Sequence, residues 1–220
     1  MRNLIFIIVF FLLTGCAAEK RTYLPDLESA ASAEQEHDCT SVFPRGKWQF
    51  VHSIDFTKRD GTGTTIVGIT SLSTEKITSA LITVEGLTLF EADFYNDNSF
   101  NVHRALPPFD RTGFAKGMMH DIRAIFQPPQ SDVRQGQTRD GIATCRYTDS
   151  EGRVTDIQLN KDDCWQITSY NPSRIMVRSI KGRSCINKGF TRIPEHLELK
   201  TYGSTGYTLS MKLLRADILP

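Results

Sequence analysis

The chain has 220 residues, with 26 Lys and Arg against 25 Asp and Glu and a formal net charge of +1. Charges of both signs are scattered, with no basic stripe, which leaves nucleic acid binding without support. Beyond the N-terminal forty residues about 180 remain, enough for one domain with its own core and too few for two.

The chain opens with Met1 and Arg2, followed by an apolar run from Leu4 to Leu13 that closes on Leu13-Thr14-Gly15-Cys16. The run is about ten residues long, roughly half of what a bilayer-spanning helix needs. A basic start, a short apolar stretch and small residues before a cysteine resemble a bacterial lipoprotein signal, with residues 1–15 removed and Cys16 the acylated N-terminus. Only a thiolate sulfur takes the diacylglyceryl group, and chains of the palmitate class then hold the protein on a membrane face. Ala17 and Ala18 follow where an Asp is the usual inner-membrane retention signal, so the resemblance implies the periplasmic face of the outer membrane. Residues 16–40 are small, polar and charged, and read as the lipidated end and a flexible tether. The domain is expected over residues 41–220.

Alternation dominates from there. Trp48, Phe50, Ile54 and Phe56 share one parity, against Gln49, Ser53 and Asp55 on the other, as in a half-buried strand. Strands are predicted over 64–70, 76–84, 87–95 and 100–103, with turn chemistry at 58–63, 85–86 and 96–99. The period then changes. Phe114, Met118, Met119, Ile122, Ile125 and Phe126 recur at spacings of three and four, one face of a helix over 112–126. Asp110 and Thr112 are its capping candidates, and Pro128-Pro129 ends it. Strands resume over 143–148, 154–159, 165–170, 174–181, 197–202 and 207–214.

Four cysteines follow Cys16: Cys39, Cys145, Cys164 and Cys185. In an oxidising compartment they read as two disulfides, and their spacing leaves three connectivities open. The pairing taken as the expectation is Cys164 with Cys185 and Cys39 with Cys145. No Cys-x-x-Cys occurs and only His37 lies beside a cysteine, so neither a metal nor any other cofactor is expected. No catalytic residue is expected either. Gly203-Ser204-Thr205-Gly206 is not a nucleophile elbow, and Asp162-Asp163 reads as a turn. His120 and Asp121 project about 100° apart on a helix. Asp121 suits a bond to a neighbouring strand or loop better than a base. His37, His52, His103 and His196 are scattered, as surface or hydrogen-bonded histidines are.

The order tether, strands, helix, strands resembles the LolA and LolB lipoprotein carriers. The hairpin Ala80 to Phe90, the helix Met118 to Pro128 and the closing Leu197-Glu198-Leu199 and Gly206 to Met211 carry the likeness. The Gly, Leu and Phe pattern of the hairpin and the Asp121-Ile122 pair are also similar to LolA-like lipoproteins encoded beside aryl-polyene or fatty-acid-type synthesis genes. The stretch 162–189 fits poorly and reads as an insertion. The resemblance implies a mainly β fold with one or two helices: an incomplete antiparallel β-barrel whose helix plugs a hydrophobic cavity. It implies a monomer carrying an acyl chain, a lipid or a lipidated protein. The implied cavity residues are Trp48, Phe50, Ile54, Phe56, Leu81, Leu89, Phe90, Phe94, Met118, Met119, Ile122 and Phe126. Leu87 is the nearest match to the exposed hairpin-loop leucine of LolB, although the turn around Glu85-Gly86 is shorter and charged. From spacing alone, the same side chains fit a dry core better than a cavity, since apolar faces are usually core. The alternative is therefore an interaction lipoprotein with a closed core and no ligand.

Overall fold

The computed structural model describes residues 21–28, 38–159, 164–189, 191–203 and 206–220. Five strands lead: β1 (Trp48–Lys58), β2 (Gly63–Leu72), β3 (Lys76–Ile82), β4 (Thr88–Tyr95) and β5 (Phe100–Ala105). The helix α1 (Thr112–Phe126) follows. Then come β6 (Asp132–Gln137), β7 (Ala143–Thr148), β8 (Val154–Gln158), β9 (Trp165–Tyr170), β10 (Met176–Lys188), β11 (Thr191–Thr201) and β12 (Tyr207–Ile218).

All twelve strands form one sheet in the spatial order β5-β4-β3-β2-β1-β12-β11-β10-β9-β8-β7-β6. Every neighbouring pair is antiparallel. β5 and β6 are the two edges, so the sheet is open, and α1 is the connection that carries the chain from one edge to the other. Register breaks at Val51/His52, Leu81/Ile82, Glu91/Ala92 and Met176/Arg178 bend the strands that carry them.

A largely apolar set of side chains from the central strands faces α1. On β1 this set is Trp48, Phe50, His52 and Ile54, with Ile66 of β2 and Met211 of β12 beside Ile54. Leu81, Phe90, Phe94, Ile157, Ile167, Ile180, Leu197 and Leu199 continue the inner layer. Ala115, Met119, Ile125 and Phe126 of α1 are buried against it.

Several stretches differ from their sequence reading. β6 carries no alternation because, as an edge strand, it buries little besides Gly136. β10 runs on to Lys188 and β11 starts at Thr191, so the presumed insertion is largely a long hairpin. The cap position of α1 is Arg111, which makes no side-chain cap bond, so neither Asp110 nor Thr112 occupies it. Residues 21–28, expected within the tether, lie across the outer face. Leu24 N–H donates to the Arg174 carbonyl at 2.9 Å, Met176 N–H to Thr22 at 2.9 Å, and Glu28 and Gln137 exchange backbone bonds. Arg146 donates to the Pro25 carbonyl and pairs with Asp156, which this strap helps to bury.

The structure joins Cys39 to Cys145 and Cys164 to Cys185, with Cα–Cα distances of 5.8 and 5.4 Å. The first bond staples the turn at 38–44, which buries Val42 and Phe43, to β7.

Candidate functional site

The face between α1 and the sheet is built from aromatic and aliphatic side chains. Phe126 stacks on Phe50 with centroids 4.9 Å apart, and Phe50 stacks on Trp48 at 5.4 Å. At the other end of the helix Phe109 meets Phe90 at 5.9 Å and Phe114 at 5.5 Å. His120 turns its ring edge-on to Phe94 at 5.2 Å.

Polar contacts also tie α1 to the sheet. Asp121 accepts from Arg178 of β10 at 2.6 Å and from the Tyr207 hydroxyl of β12. Burial, reinforced by the Asp121 charge, pushes the Tyr207 phenol far up. Asp121 therefore anchors the helix to strands. Arg123 lies over the Phe94 ring and donates to Asn98.

Of the residues expected to line a cavity, Trp48, Phe50, Ile54, Leu81, Phe90, Phe94, Met119 and Phe126 are buried. Phe56, Leu89, Met118 and Ile122 are half-buried. All but Phe56 pack as one continuous core, and Phe56 meets the Tyr207 ring at 5.5 Å. A hollow of about 20 Å³ remains beneath the C-terminal end of α1, and of the twelve only Phe50 and Phe126 line it. Its other walls are Val42 and Pro44 of the stapled turn, His52 of β1, Ile125 of α1, Trp165 of β9, and residues of β11. That volume holds one water and no hydrocarbon chain.

His52 is the largest departure from expectation. It is not at the surface: it is 3% exposed and lies beside the Phe50 and Phe126 rings. Burial drives its pKa down to about 4, so the ring is neutral at pH 7. Its signal in the sequence is its place in the parity of Phe50 and Ile54. Trp165 is also buried, and its indole N–H finds no acceptor among the described residues. Gly182 makes room for that indole: a Cβ there would stand 3.0 Å from the ring and 3.1 Å from Pro194.

A separate polar cluster occupies the outer face. Asp93 of β4 accepts from Lys76 at 2.7 Å and Thr78 at 2.6 Å, and lies 2.9 Å from His103 Nε2. Burial pushes its carboxyl up, but these hydrogen bonds outweigh that and hold the pKa at about 2. Leu87 is 52% exposed in the β3–β4 turn, beside the exposed Val84. Cys16, Ser204, Asp162 and Asp163 lie outside the described residues. Among those described, no cluster of His, Cys, Asp or Glu could hold a metal, and no helix is long and apolar enough to cross a membrane.

No protein-family model and no curated protein matches the chain. Solved structures do. A LolA superfamily protein from Nitrosomonas europaea superposes with a TM-score of 0.52 at 9% identity, covering 83% of this chain and 90% of its own. A domain described as an outer membrane lipoprotein-sorting protein, from Vibrio parahaemolyticus, gives 0.50 at 4% identity, covering 78% and 85%. A DUF1329 family protein from Desulfovibrio piger gives 0.50 at 8%, covering 82% and 88%. The twelve-stranded open antiparallel sheet with, among the described residues, one helix on its inner face is therefore a LolA-like fold.

Proposed function

We propose that this protein is a lipid-anchored carrier on the periplasmic face of the outer membrane. It binds an acyl chain, a lipid or a lipidated protein between α1 and the sheet, for transfer or localisation. The observation that carries this reading is the continuous, largely apolar inner face beneath α1, in a LolA-like fold. Entry of a chain requires α1 to move, because the hollow beneath it measures only about 20 Å³. Met119 and its half-buried neighbour Met118 suit that change, since the thioether adapts to irregular shapes.

Anchoring rests on Cys16. Five residues, 17–21, separate it from Thr22, the first strap residue bonded to the sheet, a span of at most about 22 Å when extended. The domain then rides close to the headgroups with the strap side toward the bilayer. Cys16→Ser is expected to move the protein from the membrane to the soluble periplasmic fraction.

The packed core favours a second reading, an envelope interaction lipoprotein with no ligand. Native mass spectrometry of the soluble domain (residues 17–220) separates the two. Co-purified lipid, lost on denaturation, is the result expected of the carrier; a bare mass under conditions that preserve the fold supports the closed module.

A further inference from the structure

We propose that the hollow beneath the C-terminal end of α1 seats the carbonyl or carboxylate head of an acyl-chain ligand, hydrogen-bonded by Trp165 and His52. This rests on the carrier reading and adds the end of the ligand that is recognised and the side chains that recognise it.

The polar groups around the hollow are few and complementary to an oxygen. Trp165 is 2% exposed, and its N–H is a donor with no acceptor among the described residues. A buried N–H left unpaired is costly, and the cost vanishes when an atom from outside the chain supplies the acceptor. Neutral His52 offers one further donor and one acceptor. Thr191 and the half-buried Arg192 complete the polar lining, and among the described residues no carboxylate lines the hollow. The site therefore favours a ligand group that accepts hydrogen bonds. Phe50, Phe126, Ile125 and Leu197 continue the wall, giving a hydrocarbon chain an apolar path beneath α1 once the helix yields. The hollow has the size of one oxygen-bearing group. Gly182 lets Trp165 lie where it does, since any larger residue would displace the indole.

The soluble domain is tested with three probes of equal chain length: dodecanoate, methyl dodecanoate and dodecyltrimethylammonium, whose head accepts no hydrogen bond. Trp165→Phe keeps the aromatic bulk and removes the N–H. It is expected to weaken dodecanoate and methyl dodecanoate about tenfold and to leave dodecyltrimethylammonium unchanged. Arg192→Gln weakening dodecanoate alone assigns a free carboxylate; methyl dodecanoate binding the native chain as tightly as the acid assigns an ester-linked acyl group. In the unmutated domain the two indole N–H resonances give a second readout. Trp48, whose N–H already donates to the Arg45 carbonyl at 2.9 Å, stays in place while Trp165 shifts. Equal binding of all probes to wild type and Trp165→Phe, with a static Trp165 resonance, overturns the head-group site and leaves the carrier reading standing. Failure of every probe to bind the folded domain overturns both.

Discussion

At His52 an imidazole sits on the apolar parity of β1 against Phe50 and Phe126, and burial holds its pKa near 4. The unfolded ring takes its proton near pH 6.5, so the unfolded state binds more protons between the two values. The stability from keeping the ring neutral is complete above pH 6.5 and is lost as the pH falls through 4. By linkage the loss is about 3 kcal/mol. Asp93 acts lower: its depressed carboxyl gives stability above the ordinary carboxylate range that disappears as the pH falls through about 2. Urea titrations at pH 7 and pH 4 are therefore expected to differ strongly in the native chain. His52→Phe is expected to flatten that interval while leaving the fall below pH 4. An unchanged slope in the variant would show that another group controls it. The sequence held half of this information. The parity of His52 put it on the inner face, but nothing local revealed that Trp165, more than a hundred positions away, would share its hollow.

Helix α1 is the element on which ligand entry depends, and its own sequence makes it a marginal helix. Gly113 and Gly117 lie in it with open space where a Cβ would be. Gly117→Ala is expected to stabilise the domain by about 1 kcal/mol and to raise Tm by about 2–4 °C in calorimetry. The Asp121 anchor works in the opposite direction. Asp121→Ala strands a half-buried Arg178 and frees the Tyr207 hydroxyl, at a cost of about 3 kcal/mol. If α1 must lift for a chain to enter, the same variant binds dodecanoate with a faster on-rate in stopped-flow measurements. An on-rate unchanged by a loosened helix would contradict entry beneath α1. The helix and most strands were legible because each buries one face and so imprints a period. β6 and the outer half of β10 were not, because strands with little buried surface carry no such imprint. The strap at 21–28 was missed for a related reason: it is held chiefly by backbone bonds, which any side chain permits.

Across the whole molecule, two meanders meet at the β1–β12 pair, and α1 joins their far edges. Nothing local fixes the position of the stapled turn at 38–44. The Cys39–Cys145 bond spans 106 residues, and removing it as a Cys39→Ser/Cys145→Ser pair is expected to cost about 4–5 kcal/mol on loop-closure grounds. Chemical denaturation reads that cost, and a variant as stable as the native chain would show that Val42 and Phe43 hold the turn unaided. Carrier function requires that a hydrocarbon can occupy the space now filled between helix and sheet. Methionine-methyl NMR with spin-labelled stearate tests this most directly, because Met119 and Met211 are both buried in that layer. A carrier shows both signals broadened at stoichiometric stearate and recovered when unlabelled dodecanoate displaces it. Sharp Met119 and Met211 signals at saturating stearate would contradict carrier function.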